Sequence, residues 1–283
     1  MSQKAAAQVP SSIIISDSKS GEFFYGGSQA WFESNTRAYA GCGPVAAANL
    51  LLCLAGKYPH FMKKKLKSFP PYNKNKFIDL MNDIYTTMGT LEVPVLKTIY
   101  DRCRRDHPFF RKVAPNNGRS ISGFTKGVLH YAENLGIFLH AHTLPTAFCS
   151  YETGLHFIEE GLAQSGAVVL LTSFNRHPLT LFGGDCGELK RPYESKSGMK
   201  NHFATITGIL DDGSKTLLLS TWGRIAAVHY ADLYSAWQSR KAIDSALFYF
   251  TPADSPDITE LDIKNARRML FKALRQTLIK KAV

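Results

Sequence analysis

Several features that would assign the sequence to a well-defined class of protein are missing from it. Apolar runs such as 46–55 and 167–172 are far shorter than the roughly 18 to 20 residues that a helix needs to span a bilayer. The N-terminal stretch lacks the continuous apolar core of a secretory signal, because Pro10, Ser11 and Ser12 interrupt it. We therefore expect no membrane span and a cytoplasmic location.

Cysteine is scarce and does not follow the patterns that pair it. The five cysteines, at 42, 53, 103, 149 and 186, are odd in number and include no Cys-x-x-Cys pair. This spacing argues against a disulfide framework and against a zinc ribbon. His140 and His142 alternate on an expected strand, but no third ligand is spaced for zinc. We expect reduced thiols, no metal and no cofactor.

Acidic residues are absent after Asp262, and this absence locates much of the basic excess. Seven of the 34 Lys and Arg residues follow Asp262, which leaves 27 against all 23 Asp and Glu residues in the rest of the chain. Residues 256–283 place apolar residues on one face of a helix and basic residues around the other. We expect a basic amphipathic helix docked on the body rather than a nucleic-acid or membrane-surface arm, so no nucleic-acid partner is expected.

The rest of the sequence is typical of one globular domain. With 283 residues and 45% hydrophobic content, the chain can bury one sizeable core. Apolar spacings of three and four predict helices at 43–57, 74–88, 94–106, 120–135 and 151–164. Short β-branched and aromatic runs, among them 225–230, then predict the strands of an antiparallel sheet. We expect an α+β fold over 1–255, with a helical part at about 42–165 and a sheet part at about 166–251.

The stretch "GCGPVAAANLL" places Cys42 at the start of a predicted buried helix. The positive end of a helix dipole favours a thiolate, and Gly41 and Gly43 leave the sulfur sterically open. Backbone N–H groups beside these glycines are free to point at a developing oxyanion. Buried structural cysteines are equally common, so these residues alone favour a nucleophile and a core residue about evenly.

A candidate base lies in "NHFATITGILDDGSKTLLLSTWG". His202 begins an apolar strand, and "DDGS" predicts a hairpin turn that returns a second strand beside it. A hydroxyl or backbone oxygen at Ser220 or Thr221 is then placed to hold the imidazole. This is the geometry that a Cys-His catalyst needs.

"GCGPVAAANLL", "NHFATITGI" and "STWG" resemble the three sequence blocks of papain-like cysteine peptidases, most closely those of the C39-like branch. The resemblance covers about forty residues. It implies a papain-like fold whose central helix starts at Cys42, with Cys42 as nucleophile and His202 as general base and acid. It also implies a peptide or another amide or thioester as substrate.

Two positions depart from the papain-type pattern. That pattern reads Asn-Ser-Trp-Gly, so the residue expected to orient the histidine is Ser220, whose hydroxyl brings no charge; Asp185, Asp211 or Asp212 is a candidate to supply one from a loop. The family's oxyanion glutamine would fall at Thr36. Asn35 is adjacent and Gln29 is the nearest glutamine, and we favour Gln29 as the oxyanion donor.

Other candidates border the predicted cleft. Trp31 belongs to an aromatic cluster before Cys42 that either lines a substrate groove or packs in the core. Asp185 and Cys186 lie in a glycine-rich, charged stretch that leads into His202, and this stretch is either a lid over the cleft or a plain surface loop. Trp222 follows the candidate hydroxyl residues and completes this set.

These patterns favour a thiol hydrolase, either a cysteine peptidase (thiol protease) or a related acyl transferase. The alternative is a catalytically degenerate domain of the same fold that binds a peptide or leader segment, and Ser220 and Thr36 motivate it. A third and less favoured interpretation is a nucleic-acid or membrane binder that uses the C-terminal helix. The oligomeric state and the substrate do not follow from the sequence.

Overall fold

The structure of the protein is a computed structural model. Its described residues form a mixed α+β fold in which helices cover both faces of an antiparallel sheet. The described residues are 13–59, 72–88, 121–172, 179, 181–184, 191–193, 199, 202–210, 212–238 and 245–253.

The described strands form a small sheet and a large one. In the small sheet, β1 (Ile14–Ser16) lies between the antiparallel β2 (Phe23–Tyr25) and the parallel β3 (Tyr72–Asn73). The strands of the large sheet are β4 (Leu139–Pro145), β5 (Val168–Thr172), β6 (Leu181–Gly184), β7 (Arg191–Tyr193), β8 (His202–Leu210), β9 (Thr216–Thr221), β10 (Arg224–His229) and β11 (Ala246–Pro252). They lie in the order β4, β11, β5, β8, β9, β10, β6, β7, and neighbours are antiparallel.

Helices bury both faces of the large sheet. The described α-helices are α1 (Asn35–Ala40), α2 (Cys42–Lys57), α3 (Lys74–Thr87), α4 (Ile121–Asn134), α5 (Tyr151–Ser165) and α6 (Tyr230–Gln238). Helices α2, α3 and α4 form one buried cluster with Phe203 of β8, and α5 and α6 contribute to a second cluster with Ala204. Because neighbouring residues of a strand point to opposite faces, the two clusters lie on opposite sides of the sheet.

Helix α2 is the central helix of the first cluster. Every residue from Cys42 to Leu54 is buried, as expected for a helix that is apolar on all sides. Pro44 lies in the first turn, where its missing N–H costs no hydrogen bond. The helix packs against α3 and β8, and this packing places Cys42 near the end of the sheet at which β8 begins.

The sequence predicted most of these elements where the structure has them. Helices predicted at 43–57, 74–88, 120–135 and 151–164 correspond to α2, α3, α4 and α5, and the mixed α+β class is confirmed. The helix predicted at 94–106, the domain boundary at 255 and the C-terminal helix at 256–283 lie outside the described residues. None of the helices in the described part of the chain is long and apolar enough to cross a membrane.

Sequence patterns missed α6 and the shortest strands. The run 225–230 predicted a strand through Tyr230, but β10 ends at His229 and α6 begins at the next residue, with no glycine or proline to mark the change. Strands β2 and β3 have only three and two residues, so pairing with β1 rather than their own propensity makes them strands.

Candidate active site

The hairpin of β8 and β9 brings the predicted base close to a hydroxyl. Asp212 fixes the predicted turn by accepting hydrogen bonds from the backbone N–H groups of Ser214 and Thr216. Strand β9 then runs back along β8 and ends at Thr221, near His202. The hairpin that the sequence predicted is therefore confirmed.

Cys42 is the first residue of α2 and is 8% exposed. Burial raises the pKa of its thiol, and hydrogen bonding by the backbone N–H groups of Phe203, Gly43 and Cys42 itself acts in the opposite direction. A Cβ atom placed on Gly43 would lie 3.6 Å from ring carbons of Phe203, so the first turn of α2 packs against this side chain. The sulfur therefore lies beside the residue that directly follows His202.

The His202 ring is held from two sides. Its Nε2 lies 2.8 Å from Thr221 Oγ1, and the ring stacks on the Trp222 indole with centroids 4.6 Å apart and planes at 18°. Burial lowers the pKa of the imidazole to about 4, so the ring is neutral at physiological pH. The backbone is fixed as well, because the His202 N–H donates to Thr172 Oγ1 and the Thr172 hydroxyl donates to the His202 carbonyl.

The Cys42 thiol and the His202 imidazole are carried by α2 and β8, which pack together, and no hydrogen bond links the two groups among the described residues. The ring's hydrogen bond goes to Thr221. Burial favours the thiol of Cys42 and the neutral imidazole of His202, so both resting groups are uncharged. The two side chains therefore do not form an ion pair at rest.

The hydroxyl that contacts His202 is that of Thr221, whereas Ser220 was predicted to make this contact. A β-bulge explains the difference. Near the turn Gly208 pairs with Leu218, but beyond the bulge Ile206 pairs with Leu219, a shift of one residue. A one-residue shift moves a strand's side chains to the other face relative to its partner. Without the shift, the Ser220 side chain would lie on the same face of the sheet as His202. With the shift, the Thr221 side chain lies on that face.

Ser220 instead lies on the α2 side of the sheet in a buried polar network. Its Oγ donates to the Tyr25 carbonyl at 2.8 Å and accepts from Asn49 Nδ2 at 3.1 Å. Asn49 Oδ1 also accepts from the Gly27 N–H at 3.0 Å. Ser220 thus joins the segment before α1, helix α2 and strand β9.

Gln29, the favoured oxyanion donor, begins a short 3₁₀ helix that ends at Trp31. Its Oε1 is buried and has no hydrogen-bond partner among the described residues. The preceding Ser28 lies against Gly223, since a Cβ on Gly223 would be 3.5 Å from Ser28 Cβ. Gln29 therefore lies near the turn that carries Trp222. Asn35, the other candidate, is the exposed first residue of α1.

The remaining predicted residues divide into three groups. Trp222 belongs to the site because it stacks on His202. Trp31 packs edge-on against Phe24 and Phe77, which fits core packing better than a groove wall. Asp185 and Cys186 lie outside the described residues, as does Asp211.

Asp212 is too distant to supply the charge that the serine lacks. It hydrogen-bonds at the turn, whereas His202 begins the nine-residue strand that leads to this turn. A strand of that length extends roughly 30 Å. Among the described residues, no group of three or more His, Cys, Asp or Glu could hold a metal ion.

Sequence reasoning missed the contribution of Asn49 and gave Thr221 no separate role. Asn49 had a visible signal, because it is the polar residue inside the apolar stretch from Val45 to Leu54. A buried polar side chain in such a stretch needs hydrogen-bond partners. Thr221 follows Ser220 directly and was distinguishable from it only by the register of β9 against β8.

Comparisons with known proteins add little to this description. No family model matches the chain, and no curated protein matches it. Solved structures similar to the chain include the crystal structure of a Pseudomonas avirulence protein, AvrPphB. The TM-score is 0.31 at 10% identity, over 79% of this chain and 98% of that one. At this level of similarity the comparison assigns no family to the chain.

Proposed function

We propose that the protein is a papain-like thiol hydrolase or acyl transferase in which Cys42 attacks an amide or thioester carbonyl. The observation that carries the proposal is the meeting of α2 and β8. The Cys42 sulfur lies at the first turn of a buried helix, next to the N–H of Phe203, and the preceding residue is a histidine held by Thr221 and Trp222. This pairing is what the C39-like resemblance implies for Cys42 and His202.

The contact with Thr221 accommodates either tautomer of His202, because a hydroxyl both donates and accepts. If Nε2 carries the ring proton and donates to Thr221 Oγ1, the lone pair of Nδ1 is available to accept a proton. Nδ1 has no hydrogen-bond partner in the described part of the chain. Thr221 then does by hydrogen bonding what an asparagine does in the papain-type pattern, without adding charge.

The reaction runs in two balanced steps. As the Cys42 sulfur bonds to the carbonyl carbon, its proton passes to His202, and the carbonyl π electrons move to oxygen. Collapse expels the amine or thiol, which takes the proton from His202 and leaves an acyl-enzyme. Water or an acceptor amine then attacks this thioester and gives a proton to His202; the C–S bond breaks, and the departing Cys42 sulfur takes the proton back from His202. N–H groups at the start of α2, with the amide of Gln29, are the candidate donors to the oxyanion.

Labelling with iodoacetamide at neutral pH, followed by mass spectrometry, tests the nucleophile. Cys53 and Cys149 are matched internal controls because both are buried, at 2% and 7% exposure. We expect Cys42 to be labelled about tenfold faster than either, because His202 accepts the thiol proton as the sulfur attacks. Equal rates for the three cysteines would contradict the proposal.

A second candidate function is binding of a peptide without turnover. Two observations favour it: the missing hydrogen bond between Cys42 and His202 in the described residues, and a Thr221 hydroxyl where the family has an amide or carboxylate. Burial also raises the pKa of the Cys42 thiol. In this case Cys42 acts as a small buried residue.

Incubating the full chain with a library of synthetic peptides separates the two functions. Catalysis predicts new peptide termini that disappear with Cys42→Ala, whose side chain fits the same space. Binding alone predicts that the same peptides are retained intact by the wild-type protein and by Cys42→Ala. Cleavage that persists in Cys42→Ala would contradict the role of Cys42.

A further inference from the structure

Asn49 is a polar side chain in the core, on the same helix as Cys42. It is 1% exposed, and both ends of its amide are used. Oδ1 accepts from the Gly27 N–H at 3.0 Å, and Nδ2 donates to Ser220 Oγ at 3.1 Å and reaches Thr205 Oγ1 at 3.5 Å. One side chain of α2 therefore holds the segment before α1 and the two central strands of the sheet.

The segment that Asn49 holds is fastened in turn to Gly223. The Tyr25 N–H donates to the Gly223 carbonyl at 3.0 Å, and the Gly223 N–H donates to the Gly27 carbonyl at 2.9 Å. The carbonyl of Tyr25 accepts from Ser220. Hydrogen bonds thus run without a break from Asn49 through Gly27 and Tyr25 to the turn after β9.

That turn has a backbone conformation that needs support. Trp222 has φ 52° and Gly223 has φ 74°, so two consecutive residues lie in the left-handed region. A bulky residue there is an outlier that persists only when its surroundings fix it. The Trp222 indole packs flat on the His202 ring. Any displacement of the turn would therefore displace the surface on which the imidazole rests.

We propose that Asn49 is a positioning residue that fixes the Trp222–Gly223 turn, and through it the His202 ring, relative to Cys42. Asn49 follows Cys42 by seven residues, about two helical turns, so one rigid helix carries both the nucleophile and the group that sets the position of its base. This inference rests on the proposed function of the Cys42–His202 pair. It adds a residue that touches neither substrate nor the reacting atoms.

The test compares Asn49→Leu with Leu51→Val, a buried apolar control on the same helix. The readout is the NMR signal of the His202 Cε1 proton in the full chain, which the stacked Trp222 ring displaces in the wild-type protein. We expect Asn49→Leu to lose most of that displacement and Leu51→Val to keep it. Ser220→Ala removes a single hydroxyl from the same network and should lose part of it, which keeps the test valid if Asn49→Leu does not fold.

The rate of Cys42 alkylation between acidic and alkaline pH is measured on the same variants. We expect Asn49→Leu to slow Cys42 alkylation about tenfold at neutral pH, an effect of the size that the loss of one or two buried hydrogen bonds has. Leu51→Val should leave the alkylation rate unchanged. An unchanged His202 signal in both Asn49→Leu and Ser220→Ala would overturn the role of Asn49. Slow alkylation of Cys42 in the wild-type protein, with the signal lost in Asn49→Leu, would instead contradict the proposed function.

Discussion

Ser220 and Thr221 are adjacent hydroxyl residues at the end of one strand, yet they serve opposite faces of the sheet. Ser220 is buried toward α2 and bonded to Tyr25 and Asn49, whereas Thr221 bonds the His202 ring on the other side. The face of α2 is a satisfied polar network that fixes backbone. The opposite face carries the His202 ring and its contact with Thr221, whereas Cys42 belongs to the buried cluster on the α2 side. Strand alternation, rather than residue type, separates the hydroxyl of the buried network from the hydroxyl that contacts His202.

The largest effect is expected where a side chain would enter the Ser220 network. Gly26 has φ +75°, and a Cβ there would overlap the Ser220 hydroxyl and meet the Asn49 amide. We expect Gly26→Ala to lower the free energy of unfolding by about 4 kcal/mol, because backbone strain and overpacking add. Gly213→Ala is the matched control: it has φ +78° but open space around it, so about 1 kcal/mol is expected. Urea unfolding measures both, and equal losses would contradict this packing.

On the other face, the buried neutral His202 makes stability depend on pH. Its pKa is about 4 in the folded protein and about 6.5 when exposed, so below pH 6.5 the unfolded chain binds a proton that the folded chain excludes. Stability is complete above that value and is lost as pH falls toward 4, by about 3 kcal/mol in total. Urea unfolding of wild type and His202→Gln across this range checks it. His130→Gln, on the exposed side of α4, should retain the wild-type slope.

Removing the Ser220 hydroxyl should lower the free energy of unfolding. Ser220→Ala removes the Ser220 hydroxyl that accepts from Asn49 Nδ2 and donates to the Tyr25 carbonyl, so we expect the free energy of unfolding to fall by about 2 kcal/mol. Thermal unfolding of Ser220→Ala beside Thr221→Val measures this difference. A larger loss in Thr221→Val than in Ser220→Ala would reverse the roles of the two residues.

Removing the Thr221 hydroxyl should slow Cys42 alkylation more than it lowers the free energy of unfolding. Thr221→Val keeps the shape of the side chain and loses the bond to Nε2, so the His202 ring is no longer held at that nitrogen. We expect about a tenfold slower alkylation of Cys42 at neutral pH, equivalent to about 1.4 kcal/mol. Thr221→Ser should restore the wild-type rate, and a rate unaffected by Thr221→Val would show that the contact does not matter for the thiol.

The sequence predicted the elements that carry Cys42 and His202 because their patterns are local. Small apolar residues after Gly-Pro predict a buried helix, and an apolar run closed by "DDGS" predicts a hairpin. Which hydroxyl faces His202 is not local, since it depends on a bulge between Ile206 and Gly208. Gly208 in a strand is typical of such an irregularity but does not fix its direction. The sequence shows Asn49 as a polar residue in a predicted buried helix. It does not show the hydrogen-bond partners of Asn49, because they come from distant segments.

The most direct test of the account is the pH profile of Cys42 alkylation in the wild-type protein and in His202→Gln. His202 acting as general base predicts that the variant reacts about a hundredfold more slowly at neutral pH and approaches the wild-type rate only at alkaline pH, where the thiolate forms unaided. Alkylation of Cys53 and Cys149 in the same samples should be unchanged. Identical profiles for Cys42 in the two proteins would contradict the Cys42–His202 pair.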